Sequence, residues 1–190
     1  ALLNCPQALD KTPIDERSND LLEVTLHLGA WMVRVAGITD SVESARDMCA
    51  EALESGAAWE RMKQNIELQG GDLEAMYQSL GTLRSPAQAD VTAPAGGYVQ
   101  EFDAYLTGMA GVYLGVGRSK AGDSVRPDAG IELLVKPGTA VRKGTPIARL
   151  WGGAESDLEQ AAGELERGIR VGDTPPAVPG SMIIEEMTTL

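Results

Sequence analysis

Residues 84–97 read RSPAQADVTAPAGG, and the character of the chain changes across this stretch. Two prolines among small residues cannot sustain a helix, so the sequence predicts an extended linker here. Helical patterns precede the linker and strand patterns follow it. We therefore expect three parts, residues 1–83, the linker at 84–97 and residues 98–190, in a fold of the α+β class.

Upstream of the linker, apolar residues recur at three- and four-residue spacing, which predicts amphipathic helices. Capping residues and glycines mark where these helices begin and end. The expected helices cover residues 20–37, 40–56, 57–68 and 73–80. The first part of the chain is thus predicted to be a helical layer.

Downstream of the linker, short apolar runs separated by turn residues predict strands. They are expected at residues 98–102, 131–135, around Val141, at 147–150 and, as a closing strand, at 182–184. One amphipathic helix is expected at residues 156–168. This part is predicted to be a mixed α/β segment containing a small β-rich, barrel-sandwich-like unit.

The overall charge of the chain excludes some partners. The net charge is −12 over 190 residues, which argues against a nucleic-acid surface and against binding to an anionic membrane. No apolar run approaches the roughly 20 residues of a membrane span, and no signal peptide is expected. The two cysteines, Cys5 and Cys49, belong to no Cys/His cluster. A reduced, cytoplasmic protein without metal or cofactor is therefore expected.

The most distinctive loop is residues 115–123, GVGRSKAGD. Its glycines permit positive φ angles, and successive N–H groups with Arg118 and Lys120 form a possible anion cradle. The alternative is a mobile surface loop between packed elements. The order of a P-loop is absent, so both interpretations remain open from the residues alone.

Residues 135–147, VKPGTAVRKGTPI, have the turn and strand rhythm of biotinyl and lipoyl carriers. Such carriers modify a lysine at a hairpin tip, and Lys136 and Lys143 are the candidates here. The usual Met-Lys-Met or Asp-Lys-Ala context is missing. We therefore expect the β-rich unit without the modification, and the carrier role remains an alternative.

Other reactive side chains have structural explanations. His27 lies four residues after Glu23 on a predicted helix, which indicates a half-exposed contact between them. Cys49 lies on an apolar helix face and is expected to be buried and inert. Asp123 and Asp128 are expected to fix turns, and the acids of residues 155–166 to form a solvated helix face. No catalytic residue is predicted.

Several motifs resemble a known family when they are taken in order. Residues 56–62 (GAAWERM) and 69–72 (QGGD) are similar to a stretch of the thymidine and pyrimidine nucleoside phosphorylases. The similarity continues through residues 93–99 (APAGGYV), 114–118 (LGVGR), Asp123, 130–131, Gly138, Val141 and Gly144. It covers roughly residues 8–175 and corresponds to the C-terminal portion of the family.

The resemblance implies a pentosyl transfer, in which phosphate cleaves thymidine or uridine to the free base and a pentose 1-phosphate. Family members hold phosphate with backbone N–H groups and a Lys, and hold the base with Arg, Ser and Lys. These motifs have no counterpart in the 190 residues, so no catalytic or substrate-binding residue is assigned. The chain alone is predicted to be inactive, and the full-length family is homodimeric.

The resemblance also assigns a role to the glycine loop. In the family the matching loop helps the cleft to close over its substrates, which makes Gly115, Gly117 and Arg118 the candidates for closure. At residues 3–6 this chain has Leu-Asn-Cys-Pro where the family has an acid that helps to bind a monovalent cation. No cation site is therefore predicted. A chain that complements a separate N-terminal half of a phosphorylase is the alternative.

Overall fold

A computed structural model describes residues 19–80, 82–118, 120–177 and 180–187. Within these residues six helices and six strands form an α+β fold, as the sequence predicts. The chain divides into two compact units. The helical unit contains the residues up to Tyr77 and those from Pro179 onward, and the β-rich unit contains Gln78–Val178.

The helices predicted upstream of the linker are confirmed. They are α1 Asn19–Val35, α2 Val42–Glu54, α3 Ala57–Leu68 and α4 Leu73–Ser79. The Ser41 hydroxyl caps α2 by accepting the Ser44 N–H at 3.2 Å, which satisfies a donor that the first turn of a helix leaves unpaired. Periodicity and capping chemistry together set these boundaries.

Small residues bring α1 and α2 close together. Ala30 on α1 and Ala45 on α2 are fully buried, and a Cβ placed on Gly29 would lie 3.1 Å from the Cys49 Sγ. Cys49 is a free thiol and is half-buried, rather than fully buried as expected.

On α3, Trp59 is buried and makes an edge-on contact with the Tyr77 ring at 6.0 Å between centroids.

The segment at residues 180–187 returns to α1 and is held there by Glu23. The Ser181 hydroxyl donates to the Glu23 carboxylate at 2.6 Å, and the Met182 N–H donates to it at 3.1 Å. These two donors, the hydroxyl first, lower the pKa of Glu23. No strand forms within residues 180–187, so the predicted closing strand is wrong.

His27 contacts the same segment. Its Nε2 lies 3.4 Å from the Glu186 Oε1, while Glu23 uses its carboxylate on Ser181 and Met182. The expected pairing of His27 with Glu23 is therefore replaced by one that the sequence cannot show, because the partners are far apart along the chain.

The β-rich unit contains two antiparallel sheets of three strands, ordered β1-β5-β3 and β4-β2-β6. In the first sheet Gln88 pairs with Trp151, and in the second Val99 pairs with Val171. The elements are β1 Gln88–Thr92, β2 Gly97–Phe102, α5 Ala104–Leu114, β3 Gly130–Leu133, β4 Ala140–Val141, β5 Pro146–Trp151, α6 Glu155–Gly168 and β6 Ile169–Gly172.

Both sheets and both helices contribute to one core. Its largest fully buried side chains are Val91, Val99, Leu114, Ile147, Leu150 and Leu165. Helix α6 is confirmed where it was predicted, whereas α5 was missed. Its sequence, AYLTGMAGVYL, is apolar on every side and lacks the polar face that reveals an amphipathic helix.

The predicted linker at residues 84–97 requires a correction, because it contains strand β1. Ser85 is buried, and its hydroxyl donates to the Gly152 carbonyl. The backbone N–H of Ser85 donates to the Asp128 carbonyl at 2.8 Å. The Arg84 guanidinium lies 4.4 Å from the Trp151 ring centroid. This segment is part of the β-rich unit, and side chains distant in sequence hold it there.

None of the helices in the described part of the chain combines the length and the hydropathy of a membrane-spanning segment.

Candidate functional site

Gly115 ends α5 and starts the glycine loop. Its φ is +88°, and the Val116 N–H donates back to the Gly111 carbonyl at 2.9 Å, as in a left-handed helix cap. A Cβ at this position would lie 3.1 Å from both Cγ and Cδ of Arg126. Backbone conformation and close approach therefore both require glycine here.

Arg126 closes the base of this loop. Its N–H donates to the Gly115 carbonyl at 2.8 Å, and its Nε and Nη2 donate to the two carboxylate oxygens of Asp128 at 3.2 and 2.8 Å. The paired hydrogen bonds raise the pKa of the Arg126 guanidinium and lower the pKa of Asp128. The predicted turn role of Asp128 is confirmed by this geometry.

The same guanidinium also lies against the start of α6. A Cβ on Gly153 would be 2.8 Å from the Arg126 Nη1 and 3.1 Å from the Asp157 Oδ2. The Asp157 carboxylate accepts the Ala154 N–H at 3.2 Å. Sequence reasoning missed this role of Arg126, because Gly153 and Asp157 lie more than twenty residues away along the chain.

The other two closure candidates differ in their surroundings. Gly117 folds back on α5, since a Cβ there would lie 2.9 Å from the Val112 Cγ2. Arg118 is exposed, and it forms no ion pair with any residue that the structure describes. The structure thus places Gly115 and Gly117 against the end of the same helix, with an exposed cation next to them.

Four backbone N–H groups of the loop are engaged in hydrogen bonds within the protein. The Lys120 N–H donates to the Asp123 carboxylate at 3.1 Å, and the Asp123 N–H donates to the Lys120 carbonyl at 3.3 Å. The turn role expected for Asp123 is confirmed. Because the Gly115 and Val116 N–H groups are also bonded to α5, the loop offers fewer donors to an anion than its sequence indicates.

An apolar groove of about 600 Å³ lies beside the loop, and Gly117 forms part of its wall. The remaining lining residues are Phe102, Ala104, Thr107, Gly108, Gly111, Val116, Ile131 and Leu133. Helix α5 provides one side and β3 provides the other. Such a lining suits an apolar side chain or backbone segment, and it offers no charge to hold a phosphate.

The two candidate carrier lysines lie in turns. Lys143 is exposed in the turn between β4 and β5, where the Arg142 N–H donates to the Thr145 hydroxyl at 3.1 Å. It lines a cavity of about 260 Å³ together with Glu166. Lys136 is half-buried beside Thr139. The carrier role stays a hypothesis.

Within the described ranges, no group of three His, Cys, Asp or Glu side chains is close enough to hold a metal ion. His27 faces a pocket of about 220 Å³ with Trp31, Glu185, Glu186 and Met187. Cys5 and the departure from the family pattern at residues 3–6 lie outside the described residues.

Residues 98–172 match the family model described as the pyrimidine nucleoside phosphorylase C-terminal domain. The match begins in β2 and ends with β6, so it contains the glycine loop, the groove and α6.

Similar proteins extend the match upstream. A thymidine phosphorylase of Burkholderia cenocepacia is 33% identical over 173 residues, which are 90% of this chain and 40% of that protein. A thymidine phosphorylase of Mycobacterium tuberculosis is 35% identical over 159 residues, 84% of this chain and 35% of that protein. A pyrimidine-nucleoside phosphorylase of Bacillus subtilis is 32% identical over 169 residues, which are 89% of this chain and 39% of that protein. The chain therefore spans about 40% of the length of such relatives.

Proposed function

Since this chain is a C-terminal portion of the thymidine and pyrimidine-nucleoside phosphorylase family, we propose that it is a non-catalytic part of an enzyme that cleaves pyrimidine nucleosides. In that pentosyl transfer, phosphate displaces the base and gives a pentose 1-phosphate. The supporting observation is the 173-residue similarity to a thymidine phosphorylase, which covers 90% of this chain but 40% of the relative.

The chemistry of the described residues is consistent with a non-catalytic role. Phosphate-dependent cleavage needs donors preorganised around an anion and a second set around the base. The glycine loop uses the N–H groups of Gly115, Val116, Lys120 and Asp123 in its own hydrogen bonds. The groove beside it is apolar. The parts that bind phosphate and base are therefore assigned to the rest of the enzyme.

Within that enzyme, Gly115, Gly117 and Arg118 are assigned to closure of the cleft. Gly115 supplies a left-handed backbone angle at the start of the loop, and the Arg126 N–H fixes the point where the loop returns. Arg118 is exposed and free of ion-pair partners within the described residues. A loop fixed at its base with a free cation beyond it can move toward an anionic substrate without unfolding the helix behind it.

The test of the main proposal is a phosphorolysis assay. The purified chain is mixed with thymidine and phosphate, and free thymine is measured by chromatography. We expect no release above the background of the reagents, while a complete thymidine phosphorylase assayed in parallel releases thymine readily. Robust release by the chain alone would refute its assignment as non-catalytic.

A complementing subunit is the second candidate function. The apolar groove on α5 favours it, because a helix that is apolar on every side normally has protein on every side. Adding the N-terminal portion of a phosphorylase should then produce thymine release that neither part shows alone. In the same preparation, a mass increase by biotin or lipoate on Lys136 or Lys143 would instead support the carrier role.

A further inference from the structure

The Arg126 side chain reaches from the end of α5 to the start of α6. Its aliphatic stem lies on Gly115, where a Cβ would be 3.1 Å from its Cγ and its Cδ. Its Nη1 lies beside Gly153, where a Cβ would be 2.8 Å away. Hydrogen bonds to Asp128 and, to a smaller extent, the charge of Asp157 raise the pKa of Arg126. A single charged side chain therefore links the glycine loop to the helix that follows β5.

The turn that contains Arg126 is held in place by Ser85. The Asp128 carbonyl accepts the Ser85 N–H at 2.8 Å, and the Ser85 hydroxyl donates to the Gly152 carbonyl. Because Ser85 is buried, breaking either bond would leave a buried polar group without a partner. The Asp128 carboxylate, which accepts two hydrogen bonds from Arg126, is thus fixed relative to the end of β5.

The outgoing side of the glycine loop is anchored separately on α5. The Val116 N–H donates to a carbonyl of α5 at 2.9 Å, and a Cβ on Gly117 would lie 2.9 Å from the Val112 Cγ2. The returning side is tied to Gly115 by the Arg126 N–H, which donates to the Gly115 carbonyl at 2.8 Å. The two sides of the loop are therefore held by different contacts, and those of the returning side include Arg126.

The tip of the loop is a hydrogen-bonded turn of its own. The Lys120 N–H donates to the Asp123 carboxylate at 3.1 Å, and the Asp123 N–H donates to the Lys120 carbonyl at 3.3 Å. Gly122 has a φ of +93°, and a Cβ there would meet nothing within 4 Å. A turn that is held together internally can change position as one body when the residues on either side of it stay fixed.

We propose that Arg126 is the positioning residue of the glycine loop. Its guanidinium, bonded to Asp128 and seated on Gly153, fixes the returning side, so that the movement of closure is confined to the tip. This inference rests on the proposed function, because it concerns the loop that is assigned to closure of the cleft. It adds to that function a residue outside the loop that sets the position of the loop.

The test measures how fast trypsin cuts the glycine loop in the folded chain. Trypsin cleaves after Arg118 and Lys120, and mass spectrometry follows the fragments that result. It does not cleave after Arg126, because Pro127 follows, so a substitution at Arg126 leaves the set of cleavage sites unchanged. The test variant is Arg126→Gln, which keeps the aliphatic stem on Gly115 and removes the charged fork.

The matched control is Arg149→Gln in β5 of the same unit. Arg149 donates to both carboxylate oxygens of Asp90, as Arg126 does with Asp128. The side chains are 37% and 36% exposed in the control pair and 41% and 27% in the test pair. Only cleavage within the loop is compared, so a general loss of stability would appear in both variants.

We expect the loop of Arg126→Gln to be cut about fivefold faster than that of wild type, because an exposed bidentate pair no longer opposes local opening. The control should stay near the wild-type rate. Equal rates in Arg126→Gln and wild type would overturn the inference. An equal acceleration in the control would also overturn it, since the cause would then be a general loss of stability.

A double variant tests whether the contact with Asp128 carries the effect. Asp128→Asn should also accelerate cleavage, and Arg126→Gln combined with Asp128→Asn should be no faster than the faster single variant, because both remove the same link. A double variant whose acceleration is the product of the two single ones would contradict the proposal.

The cleavage assay is independent of turnover. Release of thymine by the chain alone would refute the non-catalytic assignment without changing any cleavage rate. Conversely, a loop that is cut equally fast in wild type and Arg126→Gln would remove the positioning role and leave the proposed function intact.

Discussion

The two units of this protein bury their apolar residues very differently. Of the 17 buried hydrophobic residues in the described chain, 3 belong to the helical unit and 14 to the β-rich unit. The β-rich unit encloses fully buried Val, Leu and Ile side chains. The helical unit buries two alanines and one tryptophan, and it leaves Leu21, Leu28, Met32 and Val35 of α1 at least half exposed. Within the described residues, the β-rich unit thus encloses an apolar core of its own, whereas the helical unit leaves large apolar side chains exposed.

The largest expected effect comes from the centre of the β-rich core. Leu150→Ala removes a fully buried side chain from β5, the middle strand of its sheet. We expect about 2–5 kcal/mol of lost unfolding free energy, because a cavity is left behind. Leu28→Ala is the matched control in the helical unit and should change stability by no more than about 0.5 kcal/mol. Urea unfolding followed by circular dichroism measures both, and equal effects would break the contrast between the units.

A second substitution tests whether residues 84–97 belong to the β-rich unit. Ser85→Ala removes the buried hydroxyl that donates to the Gly152 carbonyl. An acceptor left buried without its donor costs about 1–3 kcal/mol, so the midpoint of urea unfolding should fall accordingly. Ser55, whose hydroxyl lies in an exposed hydrogen bond after α2, provides the control as Ser55→Ala. If Ser85→Ala lowers the midpoint of urea unfolding no more than Ser55→Ala does, residues 84–97 would be a linker that is not packed on the β-rich unit.

A glycine within α5 and the glycine that caps its C-terminus should respond to substitution with opposite signs. Gly115→Ala places a Cβ at φ +88° and 3.1 Å from Arg126, which we expect to cost about 1–2 kcal/mol. Gly108→Ala lies within the helix with nothing inside 4 Å and should stabilise it by about 0.5–1 kcal/mol. Melting temperatures compare the two variants directly. An unchanged melting temperature for Gly115→Ala would remove the argument that the glycine loop is fixed at its base.

The smallest effect concerns a surface pair on the first sheet. Arg149 donates to both Asp90 oxygens at 2.7 and 3.0 Å and so lowers the Asp90 pKa. Both side chains are over a third exposed, at 37% and 36%, so solvent screening keeps the stabilisation by this pair small.

The pH dependence of this pair has a definite sign. Because the folded pKa of Asp90 is depressed, the contribution of the pair is complete above the ordinary aspartate pKa of about 3.9. It is lost as pH falls through the lower folded value. Asp90→Asn should therefore be less stable than wild type at pH 7 and equal to it at strongly acidic pH. A difference that persists in acid would indicate that the substitution acts through packing.

The sequence predicted a helix correctly where the residues of that helix alone show the periodic apolar pattern and the capping groups. Helices α1 to α3 show periodic apolar residues and capping groups, and the structure confirms them. Helix α5 was missed because it is apolar on all sides, and β1 was missed because prolines and small residues surround its one buried side chain, Val91. The predicted strand at 182–184 was wrong, because the Ser181 hydroxyl and the Met182 N–H are bonded to Glu23 of α1.

The glycine loop shows the same limit at the candidate site. Glycine spacing revealed the loop and its Asp123 turn, both of which are local. The position of Arg126 between Gly115 and Gly153 depends on a meeting of α5 with the start of α6. A pattern of a few neighbouring residues cannot predict this tertiary contact. The sequence analysis therefore assigned Arg126 no part in the site.

The return of residues 180–187 to α1 has a consequence for biosynthesis. The helical unit is discontinuous along the chain, and the whole β-rich unit is inserted between its two pieces. A ribosome therefore finishes the β-rich unit while the helical unit still lacks its last segment. We expect a bulky label attached within residues 180–187 to disturb the helices rather than the sheets, because this segment is held to α1 by Glu23.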